Sequence, residues 1–358
     1  MVHVAFRYRK QYRVDRLNGR RLGSPAMTPS PARQRPWSDS KSGAKHLAGL
    51  KLAACAVTLA ICSQAPAGES SDSNSYYSEA STPADPALGT NPVAPAGERR
   101  LRGYAGIDVV SMYVSRGLIY SDRISLQPWV EVHLPVARPE ADVIDEVGWF
   151  AGNWNSIQPG SAIEGEAPTR QRERLRDWYE ADLYSGFHVA FAERWTASLR
   201  YNYYTSPSDS FSDLHELDSR LAYDDAHWWP EAEGFALRPS LRLAKTTRNR
   251  AGPTPWYLEA GVRPGGQLAG LPGKMSLSIP LIVGFGADGQ YLTPEKEHHF
   301  GFFQTGVAVS MPMEVLPESA GAMNLSGGFD MIAVRDRELN FRGDRTTGVA
   351  RIGLDYSY

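Results

Sequence analysis

Apolar and polar residues alternate along much of this chain with a period of two, the spacing of a strand that shows opposite characters on its two faces. The segment RDWYEADLYSGFHVAF puts Tyr179, Ala181, Leu183, Phe187, Val189 and Phe191 on one face, and Trp178, Glu180, Asp182, Tyr184 and His188 on the other. A tight turn at Ala192-Glu193 follows, and RWTASLRYNYY repeats the pattern, with Trp195, Ala197, Leu199, Tyr201 and Tyr203 against Ser198, Arg200 and Asn202. Leu217, Leu221 and Tyr223 then oppose Glu216, Asp218 and Arg220. Phe235, Leu237, Leu241 and Leu243 oppose Arg238 and Arg242, and Trp256, Leu258, Ala260 and Val262 oppose Glu259 and Arg263. Upstream, Leu126, Val130, Val132 and Leu134 oppose Gln127, Glu131 and His133. The chain ends on GVARIGLDYSY, which keeps the alternation to its final ring, Tyr358, with Arg351 and Asp355 among the intervening residues.

The pattern predicts about twelve strands: 103–116, 124–136, 143–157, 175–191, 194–205, 214–225, 234–247, 255–264, 273–287, 298–312, 321–335 and 346–358. In the first and third the apolar face is ambiguous. Long helical patterns are absent, and no apolar run after Leu101 reaches the length of a spanning helix. Two architectures use period two. A soluble sandwich buries its apolar faces against each other, and a membrane barrel turns them to lipid. The even strand count and aromatic-rich apolar faces favour the barrel, a transmembrane antiparallel all-β barrel over residues 101–358. Its last strand must pair with its first, because lipid offers no partner to a free backbone N–H. With the N-terminus on the inner side, 158–174, 206–213, 248–254, 288–297 and 336–345 become outer loops, and 137–142 and 192–193 inner turns.

Composition supports export. The only cysteines, Cys55 and Cys62, fall in KLAACAVTLAICSQAPAGE, where Lys41, Lys45 and Lys51 precede an apolar run from Leu52 to Ile61. Ala65-Pro66-Ala67 supplies the small residues of a signal-peptidase site. Residues 1–67 therefore read as an N-terminal extension plus secretory signal peptide, cleaved after Ala67, which leaves a mature chain without thiols. A lipoprotein site at Cys62 fits less well, with Ile61 where a small residue belongs. Residues 68–100, rich in Ser, Ala and Pro, read as a disordered periplasmic tail or linker. Of 38 Lys/Arg, 12 fall in residues 1–51, where only Asp15 and Asp39 are acidic. The body that remains is acidic, which argues against nucleic acid as a partner. The expected location is the outer membrane of a Gram-negative bacterium.

Strand parity points Glu131, Glu180, Asp182, Arg200, Glu216, Asp218 and Arg220 into the lumen. It does the same for Arg238, Arg242, Glu259, Arg263, Arg351 and Asp355, with Asp108 and Asp330. One reading is a pore that passes small polar solutes or ions along charged walls. The other is a salt-bridged plug in a structural or anchoring barrel. Twelve strands lie between the side-chain-filled eight-stranded barrel and the open sixteen-stranded channel, so both readings stand.

The stretch IDVVSMYVSRGLIYSDRISLQPWVEV resembles the TorF-like family of porin-type outer-membrane proteins, whose S-x-Y-x-x-R-G segment corresponds to Ser111, Tyr113, Arg116 and Gly117, followed by a polar turn at Ser121-Asp122. A second family block, Y-x-G-x-W-x-S, corresponds to Phe150, Gly152, Trp154 and Ser156, with Phe150 in the aromatic slot. The resemblance implies a barrel in the outer membrane and brings no catalytic residue or defined cargo. Tyr113 and Arg116 read first as structural, the arginine pairing with lumenal acids at a strand end, and second as a substrate contact. The terminal aromatic strand also resembles those of outer-membrane barrels generally, which implies recognition by the barrel-assembly machinery.

Other chemistry is weaker. A barrel hydrolase needs a nucleophile beside a base. His133 and His188 are expected inward without a nearby serine, and His215 and Ser219 share a face but sit too far apart along one strand. Adjacent His298 and His299 point to opposite faces of a strand, so neither a metal site nor a cofactor is expected. Trp195, Tyr201, Tyr203, Trp228, Trp229, Trp256, Tyr356 and Tyr358 suit interfacial girdles better than a carbohydrate surface. Arg170, Arg172, Arg174 and Arg176 form a solvated loop or meet anionic lipopolysaccharide, the expected partner together with outer-membrane lipid.

Overall fold

The computed structural model describes residues 101–139, 143–159, 175–232, 234–250, 252–268, 274–317 and 320–358. The expected leader and tail over 1–100, and the loop arginines Arg170, Arg172 and Arg174, lie outside the described residues.

Sixteen strands form among the described residues. The first half holds β1 (Arg102–Val110), β2 (Tyr113–Ser115), β3 (Leu118–Ser121), β4 (Ser125–Ala137), β5 (Ile144–Ile157), β6 (Trp178–Phe191), β7 (Trp195–Thr205) and β8 (Leu214–Tyr223). The second holds β9 (Ser240–Asn249), β10 (Trp256–Val262), β11 (Gly265–Gln267), β12 (Ser276–Ser278), β13 (Leu281–Ala287), β14 (Phe300–Met313), β15 (Ala322–Val334) and β16 (Thr346–Ser357). Strands β10 with β11, and β12 with β13, are single wall strands interrupted at Pro264 and Pro280, which have no N–H to give the ladder. The Ile279 N–H donates to the Pro264 carbonyl at 2.9 Å and ties the two breaks together. With β2 and β3 set apart in their own two-stranded sheet, twelve antiparallel strands form the wall.

The wall closes on itself. β14 pairs with β15, β15 with β16, and β16 with β1, from Tyr104 opposite Ser357 to Val110 opposite Arg351. Beyond this ladder the Gly103 N–H donates to the Tyr358 carbonyl at 3.0 Å, and the Tyr358 N–H returns a bond to Gly103 at 2.8 Å. The strict alternation at the C-terminus is thus the second half of a seam.

The wall strands keep their period except where β-bulges interrupt it, in β4, β5, β6, β9 and β14. Leu183, Phe187, Leu199, Leu217, Leu241, Phe329 and Ile352 are exposed on the outside, while Glu180, Asp182, Arg200, Glu216, Asp218, Asp330 and Arg351 are buried inside. Apolar outside and polar inside is the surface of a membrane barrel rather than of a sandwich. At the end of the barrel where β1 begins and β16 finishes, Trp195 lies 4.7 Å from Tyr223, which lies 5.3 Å from Trp228, a ring cluster on the rim.

Two predicted boundaries shift, each for a local reason. The first strand was expected to run to 116, but it stops at Val110 and the chain turns into the barrel. Alternation fails there because Tyr113 and neighbouring Val114 are both buried, as in a segment enclosed on two sides. The strand expected from 234 starts at Ser240. The described residues before it, 224–232 and 234–239, gather around Asp225, whose carboxylate accepts from the backbone N–H groups of Leu237 and Arg238 and from the Trp229 indole, all at 2.8–3.0 Å. Those N–H groups are committed to the carboxylate instead of the sheet.

Removing Ile352–Tyr358 takes away most of the β16 side of the seam and leaves β1 and β15 as open edges. We expect the refolded full-length chain to migrate faster unboiled than boiled in detergent gels, and the truncated chain to lose this difference; an unchanged fast band would contradict closure at this seam. Burial raises the Asp225 pKa, but the hydrogen bonds from Trp229, Arg238 and Leu237 outweigh it and hold the carboxyl below its usual range. A lowered folded pKa stabilises the loop above the unfolded value and is lost as pH falls through the folded one. Acid titration of tryptophan fluorescence should therefore show a transition below the ordinary carboxylate range that disappears in Trp229→Phe.

Candidate functional site

The insertion between β1 and β4 is the feature that decides what the lumen can do. These strands pair directly, from Arg102 opposite His133 to Val110 opposite Ser125, so the wall needs no intervening structure. Residues 111–124 instead form a hairpin, β2 with β3, that enters the lumen. Its tip is Arg116-Gly117, with φ of 51° and 76°, the left-handed pair of a two-residue hairpin turn. Gly117 is required twice over, because a Cβ there would come within 2.6 Å of the Phe302 side chain.

The hairpin is fastened to four wall strands and two loops. At its root the Ser111 N–H donates to the Ala350 carbonyl at 2.9 Å, and the Ala350 N–H donates to the Ser111 hydroxyl at 3.0 Å. The Tyr113 hydroxyl donates to Glu180 Oε2 of β6 at 2.8 Å. At the tip, Arg116 Nη1 and Nη2 donate to the two carboxylate oxygens of Glu216 on β8, at 2.9 and 2.6 Å. The guanidinium lies 4.5 Å from the ring centre of Tyr257 on β10. The Arg116 carbonyl accepts from the Tyr291 hydroxyl at 3.1 Å, and the Ile119 N–H donates to Asn340 Oδ1 at 3.0 Å.

Apolar packing fills the space between these bonds. Val114, Leu118 and Ile119 are buried with Tyr257, Ile282, Phe302 and Ile332 from the far wall. Tyr113 joins a second cluster with Trp129, Phe150, Trp154 and Tyr184. Burying each aliphatic side chain contributes about 1.5–3 kcal/mol relative to exposure, whereas a buried ion pair gives little net stability over an apolar replacement. The clusters therefore hold the hairpin inside, and the Arg116–Glu216 fork sets where its tip sits.

The two sequence blocks meet here. Phe150, Gly152, Trp154 and Ser156 all face inward from β5, and the Trp154 ring lies 5.5 Å from that of Tyr113. Ser156 shares a 2.9 Å hydroxyl contact with Ser125 at the hairpin's exit. Gly152 leaves room for the Tyr184 ring, which a Cβ would strike.

The other expected lumenal residues fall into groups. On β7–β9, Asp218 accepts from Arg200 Nη2 at 2.9 Å and from Arg242 Nε and Nη2 at 3.0 and 2.6 Å, with Arg220 at 3.9 Å. Glu131 pairs with His133 on β4, and Glu259 accepts from the Tyr257 hydroxyl. Asp182 is buried next but one to Glu180 on β6. Arg351 and Asp355 face inward from β16, opposite Val110 and Gly106 of β1. Arg238 sits in the Asp225 loop ahead of β9 and donates to the Ala236 and Gly265 carbonyls at 3.5 and 3.3 Å, outside the regular ladder. Arg263 lies half-buried beside the Pro264 break.

The sequence reading missed Tyr204, Tyr257, Tyr291, Phe302, Asn340 and Glu146. Glu146 gathers Arg102 and Arg138 at 2.7 and 2.8 Å on a strand whose faces were ambiguous. Tyr257 was open to parity, being flanked by the outward Trp256 and Leu258; Tyr291 and Asn340 lie in loops, where no period exists. On the outside, His215 bonds the Tyr201 hydroxyl and the Ser219 hydroxyl donates to the Leu243 carbonyl at 3.1 Å. Arg176 is exposed beside Asp177. Among the described residues, no group of three or more His, Cys, Asp and Glu side chains is placed to hold a metal ion.

No protein-family model matches the chain, and no curated protein matches it. Among solved structures, the chain is similar to a bacterial polysaccharide outer membrane secretin, with 9% identity, a TM-score of 0.40 and coverage of 72% of this chain and 97% of that one. It is similar to the NanC porin at 10% identity and TM-score 0.35, covering 72% and 98%, and to LpxR from Salmonella typhimurium at 9% and 0.36, covering 71% and 99%. At these scores the likeness carries no argument, and the barrel stands on its own strand pairing.

Glu216→Ala leaves the Arg116 guanidinium enclosed without its counter-charge, a loss of about 3–5 kcal/mol for a buried pair. The expected result is a barrel that still shows heat-modifiable migration but is cut by trypsin at Arg116, which the native chain protects. Equal resistance in both chains would show that the fork does not hold the tip.

Proposed function

We propose that this chain is an outer-membrane barrel whose polar lumen is a path for small polar solutes or ions, stoppered by its own β2–β3 hairpin. The observation that carries this reading is the hairpin's attachment across the lumen, from Ser111 at β16 to Glu180, Glu216 and Tyr291. The charged walls below it, three arginines around Asp218 on one side and Asp108, Asp355 and Glu131 with Arg351 on the other, support a solute path. The dry packing around Val114 and Ile119 supports a closed resting state.

The outer-membrane placement is supported by the apolar outer surface and ring-lined rim, and by the exported character of residues 41–67 in the sequence. Lipid and lipopolysaccharide then contact the barrel wall, and the assembly machinery reads β16. The Ser111–Gly117 and Phe150–Ser156 blocks support kinship with TorF-like proteins, since each block residue has a place in the stopper or its seat.

Planar-bilayer recording tests the reading. The intact barrel should be silent, and a chain in which a Gly-Ser pair replaces Met112–Asp122 should give discrete channel events. A conducting intact barrel would overturn the stopper. A silent excised barrel would overturn the path and leave an anchoring barrel with a filled interior.

A further inference from the structure

We infer that the barrel wall carries a receptor for a guanidinium group, occupied in this structure by the chain's own Arg116 and open to a guanidinium-bearing solute when the hairpin withdraws. The inference rests on the stoppered-path reading and names the class of solute that the path would recognise.

Three wall strands build the site without help from the hairpin. Glu216 of β8, 2% exposed, turns its carboxylate to the lumen. The Tyr204 hydroxyl of β7 donates to its Oε1 at 3.0 Å and orients it. Tyr257 of β10, 1% exposed, offers its ring face beside that carboxylate, and its own hydroxyl is anchored on Glu259 of the same strand. The pieces that meet the guanidinium are therefore held by bonds within the wall, which is the preorganisation a binding site needs. The occupant comes from an insertion that β1 and β4 do not require for pairing, since their ladder reaches Val110 and Ser125 without it.

The geometry selects a flat, forked cation. Both carboxylate oxygens are engaged, at 2.6 and 2.9 Å, by two nitrogens of one guanidinium, while its central carbon sits over the Tyr257 ring, 4.5 Å from the ring centre. A planar delocalised cation satisfies the fork and the ring together, whereas an ammonium is a point charge that cannot do both. Arg242 lies 5.6 Å from the same ring but is committed to Asp218 through Nε and Nη2, at 3.0 and 2.6 Å.

The test starts from full-length Arg116→Ala refolded in detergent. Titration with millimolar methylguanidinium should raise its thermal midpoint saturably. The native chain, whose site is filled, and the Arg116→Ala/Glu216→Gln double variant should not respond, and methylammonium at equal ionic strength should have no effect. Absence of a guanidinium-specific rise in Arg116→Ala, or an equal rise in the double variant, overturns the receptor. The hairpin-excised barrel gives a second readout that does not depend on Arg116→Ala folding: methylguanidinium should reduce its current in proportion to occupancy, and Glu216→Gln should abolish the block. An excised barrel that conducts but ignores methylguanidinium overturns the receptor and leaves the stopper standing. A silent excised barrel overturns the path, and the thermal titration still decides the receptor.

Discussion

A backbone N–H that meets hydrocarbon finds no partner, and this cost governs the molecule. Only a sheet that returns to its own first strand avoids it. The requirement explains why β16 pairs with β1 along its length and why the last residue, Tyr358, exchanges backbone bonds with Gly103. It also explains how Pro264 and Pro280 are tolerated. They fall together at one break in neighbouring strands, where the Ile279 N–H reaches the Pro264 carbonyl.

Closure creates a second demand. A ring of twelve strands encloses more space than its own short side chains fill. The upper part is filled by a hairpin with an apolar body and a charged tip. Lower down the wall carries long charged side chains in ion-paired groups, with Arg200 and Arg242 on Asp218 and Arg102 and Arg138 on Glu146. Enclosing a charge without a partner costs more than the pair gains, and these arginines are accordingly gathered on shared carboxylates. Large rings gain room by lying across glycines of the next strand, as Tyr184 does over Gly152 and His188 over Gly148.

The wall was legible in the sequence because period two is a direct record of its two solvents. On β6 through β8 the faces read from Leu183 to Tyr223 are those of the barrel, and the last strand spans nearly the expected residues. Tyr179, expected on the outer face, instead packs 5.9 Å from the lumenal Tyr113, because a bulge at the start of β6 breaks the alternation there. The inward turn was not legible. Tyr113 and Val114 are enclosed on both sides, so alternation that reports a boundary between oil and water has nothing to report there. The S-x-Y-x-x-R-G block marked the place, and pairing of Arg116 with a lumenal acid was expected, but the identity of that acid depends on a register a hundred residues away. Arg238 was misplaced because a single carboxylate, Asp225, draws two backbone donors out of the ladder.

The hairpin's position in the chain sets a timetable. It is synthesised early, yet its attachments are separated from it by 67 residues at Glu180, 100 at Glu216, 175 at Tyr291 and 221 at Asn340. Contacts of such long separation form late, because the intervening loops must be ordered first. Through most of assembly the segment has no seat, and its Val114, Leu118 and Ile119 are greasy surface in need of cover. Seating it is thus the last inspection of a finished ring: a barrel with a slipped register would leave Arg116 facing the wrong strand.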